Sequence, residues 1–331
     1  MGTVVFVCSL PLKIPPPTTN PKRQTTNLLP MNRKDFLRYT SLVAGGTLLF
    51  RNNVWASLLP RAGNLKLLRN SVGIYTERGG TIGFHAGKNG FTVIDTQFMD
   101  TAPNLIGELK KMAEEPFLQL LYTHHHGDHT GGGAAFKGLV QDVVAHKNAA
   151  AHHQSVSAAA KKPAEQLYAT ITFDEELKLK SEEAKLKGFY FGAGHTNGDA
   201  VYHFQDANIA HVGDLVFNRR HPFVDRAHGA SMVHWAEALT RIVKKFDTDT
   251  LYVFGHSAEG YEVTGNSRDV LAFREYLVRV LEFARQEQKA GKNREEFVKN
   301  TTVPGVSEWK GDGLERSLGA AWDELTEAKG A

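Results

Sequence analysis

The sequence predicts an α/β fold in which helices cover the outer faces of packed sheets. Two observations lead there. From residue 65 onward, blocks of short apolar or alternating runs are interleaved with amphipathic stretches of helical period. Glycine and Asn-Gly pairs punctuate the early strand runs as hairpin turns would.

The elements follow in order. "LKLLRN", "VGIYTE", "TIGFHAG" and "FTVIDT" read as strands, with Gly79-Gly80 and Asn89-Gly90 between them as turns. Residues 101–114 read as a helix with Leu105, Leu109 and Met112 on one face. "FLQLLYT" is a short apolar strand, "DVVAH" another, and residues 147–161 an alanine-rich helix. Strands resume at "TITFDEELKLK", "AKLKGFYF", "AVYHF" and "NIAHVGD". "SMVHWAEALTRIVKKF" is a helix whose expected buried positions are Val233, Leu239, Ile242 and Val243. The strand "TLYVFG" follows, then a long helix over residues 267–290 and a helical tail to residue 329. No repeat or low-complexity linker interrupts residues 57–331, so a single domain with a helical C-terminal extension is expected there.

Composition narrows the function. The chain has 331 residues, 41% hydrophobic and 23% charged, as globular proteins do. Its net charge of +3 is unevenly spread: residues 1–56 carry +6 and the remainder −3. A mildly acidic body offers no electrostatic case for nucleic-acid binding. The lone cysteine, Cys8, lies upstream, so any metal site in residues 57–331 must use nitrogen and oxygen ligands.

Residues 1–30 hold six of the 12 prolines and read as a disordered upstream segment. Met31 then opens "MNRKDFLRYTSLVAGGTLLFRNNVWAS", a basic start, a short apolar stretch and small residues before a possible cut after Ala56. Residues 31–56 are therefore expected to be an export signal, Tat-like or Sec, with Met31 as the true start. "NRKDFLR" departs from the twin-arginine pattern at Lys34. A periplasmic or secreted protein with no stable membrane anchor after signal removal follows as an expectation.

The chemistry concentrates in "THHHGDHTGGG" (residues 123–133). In an extended segment, side chains at i and i+2 point the same way. His124 and His126 can converge on one ion while His125 points away. Asp128 and His129 come at the next turn, offset as a second ion would require. Three later strand runs stop at a glycine followed by a candidate ligand: His195 in "GAGHTNGD", Asp214 in "HVGDLVF" and His256 in "VFGHSAEG". Imidazole and carboxylate ligands suit zinc and also iron, manganese and cobalt.

This ordered set resembles the metallo-β-lactamase superfamily over roughly residues 65–260. The resemblance implies a four-layer αβ/βα sandwich with the site along one edge. It assigns His124, His126 and His195 to one metal, and Asp128, His129 and His256 to a second. Asp214 would bridge them, and Asp95 in "FTVIDT" would sit beside the site and orient a ligand. Two zinc ions are expected, with iron or manganese as alternatives. A hydroxide generated there would attack a carbonyl, Asp128 orienting the water or relaying its proton.

Substrate is less legible. Zinc β-lactamases with a cysteine ligand carry Cys-x-x-Lys where this chain has Asp214-Leu-Val-Phe217. The chain therefore resembles the bridging-aspartate members, which include lactonases and thioesterases. Arg219, Arg220 or His221 are candidates to hold a substrate carboxylate in place of the missing lysine. His228 is read as a loop residue, and His152, His153, His85, His146, His203, His211 and His234 as core-edge or surface residues. The expected function is an exported hydrolase acting on a small-molecule substrate, a cyclic amide or ester, β-lactamase-like. A lactonase or esterase of the same fold and an iron-dependent persulfide dioxygenase are the alternatives.

Overall fold

The computed structural model describes residues 64–161, 164–179 and 185–330. The expected upstream segment and export signal lie outside the described residues.

Seven strands form the first sheet in chain order: β1 (Leu65–Arg69), β2 (Val72–Tyr75), β3 (Ile82–Ala86), β4 (Phe91–Ile94), β5 (Phe117–Leu121), β6 (Asp142–His146) and β7 (Ile171–Phe173). The first four pair antiparallel through short turns, and β4 to β7 pair parallel. Parallel neighbours need crossovers. Helix α1 (Ala102–Met112) supplies one, the short α2 (Gly127–Thr130) lies in the next, and α3 (Lys147–Ala159) lies in the third. The second sheet runs β13-β12-β11-β10-β9-β8, built from β8 (Glu176–Lys178), β9 (Leu186–Tyr190), β10 (Ala200–Phe204), β11 (Ile209–Asn218), β12 (Leu251–Ser257) and β13 (Thr264–Gly265). Its parallel pair, β11 and β12, is bridged by α4 (Met232–Lys245). Helices α5 (Ser267–Lys289), α6 (Arg294–Phe297) and α7 (Leu314–Gly330) complete the chain.

Side-chain alternation sorts the core into layers. Ile74, Ile94, Leu121, Tyr202, Ile209 and Val253 pack between the two sheets. Phe91, Val93, Phe117 and Leu120 face the other way, onto Leu105 and Leu109 of α1 and Ala149 of α3. Val201, Ala210, Tyr252 and Phe254 of the second sheet face Trp235, Leu239, Phe273 and Leu318 on the C-terminal helices. The result is the expected αβ/βα sandwich, with helices outside two stacked sheets. The C-terminal extension is tied to it, because Glu324 of α7 accepts hydrogen bonds from Ser231 Oγ (2.6 Å) and Met232 N (2.8 Å) at the start of α4. A carboxylate there satisfies orphan N–H groups and complements the helix dipole.

Three local expectations are corrected. "TITFDEELKLK" is two strands in different sheets, β7 and β8, with the chain crossing at Asp174-Glu175. In α4, Val233 and Val243 are only partly buried, and Trp235 takes the central core position, its Nε1 donating to Leu215 O at 3.0 Å. Asp214 does not end a strand. It lies within the ten-residue β11, where pairing to β12 shifts register and Gly213 adopts φ +52°. That irregularity turns the Asp214 carboxylate toward the metal-ligand candidates.

Candidate metal centre

The candidate ligands come from both sheets. His124 and His126 follow β5, and His126 caps α2, which carries Asp128 and His129. His195 lies in the turn between β9 and β10, Asp214 in β11 and His256 in β12. Ligand atoms of His124, His126, His195 and Asp214 fall within 4.8 Å of one another, and so do those of Asp128, His129 and His256.

Asp214 connects the two groups. Its Oδ2 lies 3.4 Å from His195 Nε2 and 3.9 Å from His124 Nε2. Its Oδ1 lies 3.0 Å from His129 Nε2 and 3.4 Å from His256 Nε2. One carboxylate thus offers one oxygen to each group. Two glycines make room for this approach. A Cβ on Gly255 would lie 1.9 Å from Asp214 Oδ1, and one on Gly80 would lie 2.1 Å from the His129 ring.

Hydrogen bonds around the cluster orient the rings. Asp95, held at φ +65°, accepts from Thr123 N (2.8 Å) and Thr123 Oγ1 (2.7 Å) through separate oxygens. Because that hydroxyl proton is committed, Thr123 Oγ1 is the acceptor for His124 Nδ1 at 3.0 Å. Asp95 Oδ2 also accepts from His129 Nδ1 at 2.7 Å. His195 Nδ1 donates to Phe223 O at 2.8 Å, and His126 Nε2 donates to Asp225 Oδ2 at 2.8 Å. In all four rings the outer nitrogen is tied up, which leaves the inner nitrogen for the centre; those of His126 and His195 face each other at 2.8 Å. This is the arrangement metal-binding imidazoles require. Among the described residues, His124 Nε2 is buried with no hydrogen-bond partner, and His129 Nε2 and Asp214 Oδ1 face each other at 3.0 Å without a well-aligned hydrogen bond. Unpartnered buried atoms are costly unless something binds them. The residues therefore fit one cation held by His124, His126 and His195 and a second held by Asp128, His129 and His256, with Asp214 between.

Electrostatics agree. Burial drives His124 well below the ordinary imidazole range, and His129 beside it adds to the effect. Burial also lowers His195, to about 4, against the pull of Asp214. These rings are neutral, as ligands must be. His129 and His256 behave oppositely. Burial opposes their charge, but Asp214 and Asp128 outweigh it, raising His129 well above its usual value and His256 to about 9. Burial opposes ionisation of Asp214 and Asp128 as well. Neighbouring histidines nevertheless hold Asp214 far below the carboxylate range and Asp128 at about 2. The second group carries anionic charge that attracts a proton or, in its place, a metal.

Asp225, not anticipated from the sequence, positions His126. The two are 99 residues apart, so no local motif joins them. The proposed carboxylate anchors separate. His221 is buried, its Nδ1 2.9 Å from Tyr276 Oη, so it faces the helical layer and is withdrawn as an anchor. Arg219 lies with its guanidinium carbon 4.7 Å from the Trp309 ring. Arg220 lines an open cleft of about 530 Å³ with Ser257, which follows His256, and with Lys310, Glu259 and Asp312.

The family model of the metallo-β-lactamase superfamily matches residues 76–256, over half of the chain. The chain belongs to this superfamily. It is 25% identical over 206 residues to the type 2 metallo-β-lactamase of Bacillus sp. (strain 170), covering 60% of this chain and 77% of that protein. Among solved structures, a double mutant of the sec-alkyl sulfatase PisA1 superposes with a TM-score of 0.63 at 14% identity, covering 79% of this chain and 50% of that one. The DIM-1 metallo-β-lactamase superposes with a TM-score of 0.52 at 16% identity, covering 64% and 96%. Superfamily members are metal-dependent hydrolases, and this chain is hydrolase-like, with His/Asp clusters able to bind metal.

Proposed function

We propose that the chain is an exported, two-zinc hydrolase of a cyclic amide or ester, with β-lactams as the first substrate class. The observation that carries the two-metal reading is the Asp214 carboxylate, one oxygen turned to His124 and His195 and the other to His129 and His256. A pair of zinc ions there would supply a water of lowered pKa and polarise the substrate carbonyl. The chain's own residues do the rest. Thr123, Asp95, Asp225 and Phe223 O hold the rings in one orientation. Asp128, partly exposed and 3.1 Å from His256 Nε2, is the residue proposed to orient the water or relay its proton. Arg220, which lines the cleft with Ser257, is the residue proposed to hold a substrate carboxylate.

A lactonase or esterase is the second reading, and one observation favours it. Phe217 is buried and stacked on His256, with ring centroids 5.3 Å apart, where cysteine-ligand β-lactamases keep a lysine. A substrate lacking a carboxylate needs no cation there. The test uses full-length protein loaded with zinc and offered a penicillin, a cephalosporin, a carbapenem and a panel of lactones, with His124→Ala as control. β-Lactam turnover lost in the variant supports the first reading. Lactone turnover alone replaces it with the second. Inactivity on both, together with oxygen consumption by an iron-loaded sample given a persulfide, would make the protein an oxidoreductase. Export is tested by fractionating cells that express the full chain. Cleavage near Ala56 and recovery outside the cytoplasm are expected, and an uncleaved cytoplasmic chain would refute it.

A further inference from the structure

A second histidine cluster lies behind the one just described. His125 points away from the His124 and His126 lone pairs, into a space between α3 and the turn at Arg226–His228. There one ligand atom each from His125, Asp225 and His228 falls within 4.8 Å of the others. The His125 and His228 rings are 4.5 Å apart, and the His152 ring stands 5.0 and 4.8 Å from them. His125 is 4% exposed, yet neither of its ring nitrogens meets a hydrogen-bond partner among the described residues. Its nearest anion, Asp225 Oδ2, is 3.6 Å from Nε2, too far for a hydrogen bond. That oxygen is already engaged by His126 Nε2 at 2.8 Å and His228 Nδ1 at 2.7 Å.

Hydrogen bonding among the described residues therefore leaves His125 unsatisfied. A cation would complete it. We infer that His125, His228 and Asp225 form a third metal site, for zinc or a similar borderline divalent ion. Two imidazoles and a carboxylate match zinc's ligand preferences, and the partial exposure of His228 leaves a position for water. His152 is held beside the site by its Nε2 contact to Asn197 Oδ1 at 2.7 Å and helps to enclose it. Asp225 belongs to both clusters, so an ion here would stiffen the carboxylate that aligns His126.

The test is zinc content. Full-length protein is stripped with chelator, reloaded with zinc, desalted and assayed by elemental analysis. His228→Asn keeps an N–H donor for Asp225 while removing the imidazole, and His125→Asn removes the unsatisfied ring. Wild type is expected to hold one more zinc per chain than either variant. The same difference of one is expected in a His195→Ala background, which removes a main-cluster ligand and keeps His125, Asp225 and His228. Fewer than two ions in the main cluster, with this difference intact, would fail the two-zinc reading alone. Equal zinc in wild type and His228→Asn, or loss of the difference in the His195→Ala background, would overturn the third site.

Discussion

Gly255→Ala tests how tightly the backbone constrains the bridging carboxylate. The added Cβ would lie 1.9 Å from Asp214 Oδ1 and 2.8 Å from the Gly213 carbonyl carbon. Comfortable C···O contacts begin near ~3.3 Å, so the carboxylate must retreat by more than ~1 Å. Gly255 has no left-handed φ, so alanine pays no backbone strain, and the effect is steric alone. Overpacking of this kind costs about 1–3 kcal/mol of stability. A displacement of ~1 Å in a reacting constellation costs on the order of 10²-fold. Zinc affinity, read by competition with a chelator, should fall by about 10–100-fold, the range seen when ligands lose their supports. Thermal unfolding of the metal-free protein separates the stability cost from the coordination cost. Gly107→Ala is the control, since a Cβ there meets nothing within 4 Å. If Gly255→Ala bound zinc as tightly as wild type, the claim that close backbone approach sets the Asp214 position would be wrong.

Three further predictions follow from the same geometry. Asp95→Ala removes the acceptor of the Thr123 N–H, the Thr123 hydroxyl and the His129 Nδ1–H; each orphaned donor should cost about 1–3 kcal/mol, measured by urea unfolding, with zinc affinity falling as well. In metal-free protein, His256 is raised from 6.5 to about 9 against the opposing effect of burial, chiefly by Asp214. Its contribution is full below pH 6.5 and lost as pH rises through 9, so the stability gap between wild type and His256→Gln should narrow over that window; a constant gap would contradict it. Trp235→Ala opens a cavity under β11 and removes the bond to Leu215 O, and should cost about 3–5 kcal/mol in denaturant unfolding.

Much of the site is legible in the sequence because its parts recur locally. His124, His126, Asp128 and His129 lie in one six-residue stretch, and each distant partner follows a glycine, of which Gly255 lies against the Asp214 carboxylate. What escaped depends on folding that brings distant residues together. Asp225 meets His126 only after β11 has been laid down, and nothing in "FVDRAHG" marks that aspartate as a partner. His228 reads as a loop residue and does lie in the short turn Arg226–His228, capped by Asp225; only its approach to the distant His125 has no local signal. The division of "TITFDEELKLK" between two sheets is invisible to a period-two pattern, since both halves alternate alike. Trp235 replaced Val233 as the buried anchor of α4 because packing against Phe217 and Phe273 decides the face, and helical period alone fixes only the spacing.

The division of ligands between the sheets also sets an order of events during synthesis. The first sheet adds strands in chain order, so its pairings are local and form early. His124, His126, Asp128 and His129 thus emerge on a partly built scaffold. Their partners His195, Asp214 and His256 arrive only with the second sheet, whose parallel β11–β12 pairing must wait for all of α4. A nascent chain that ends before β11 lacks Asp214, and one that ends before β12 still lacks His256, the last member of the Asp128–His129–His256 group. The His124–His126–His195–Asp214 group is therefore complete once β11 is in place and the Asp128–His129–His256 group only with β12, so the two halves of the centre mature one after the other.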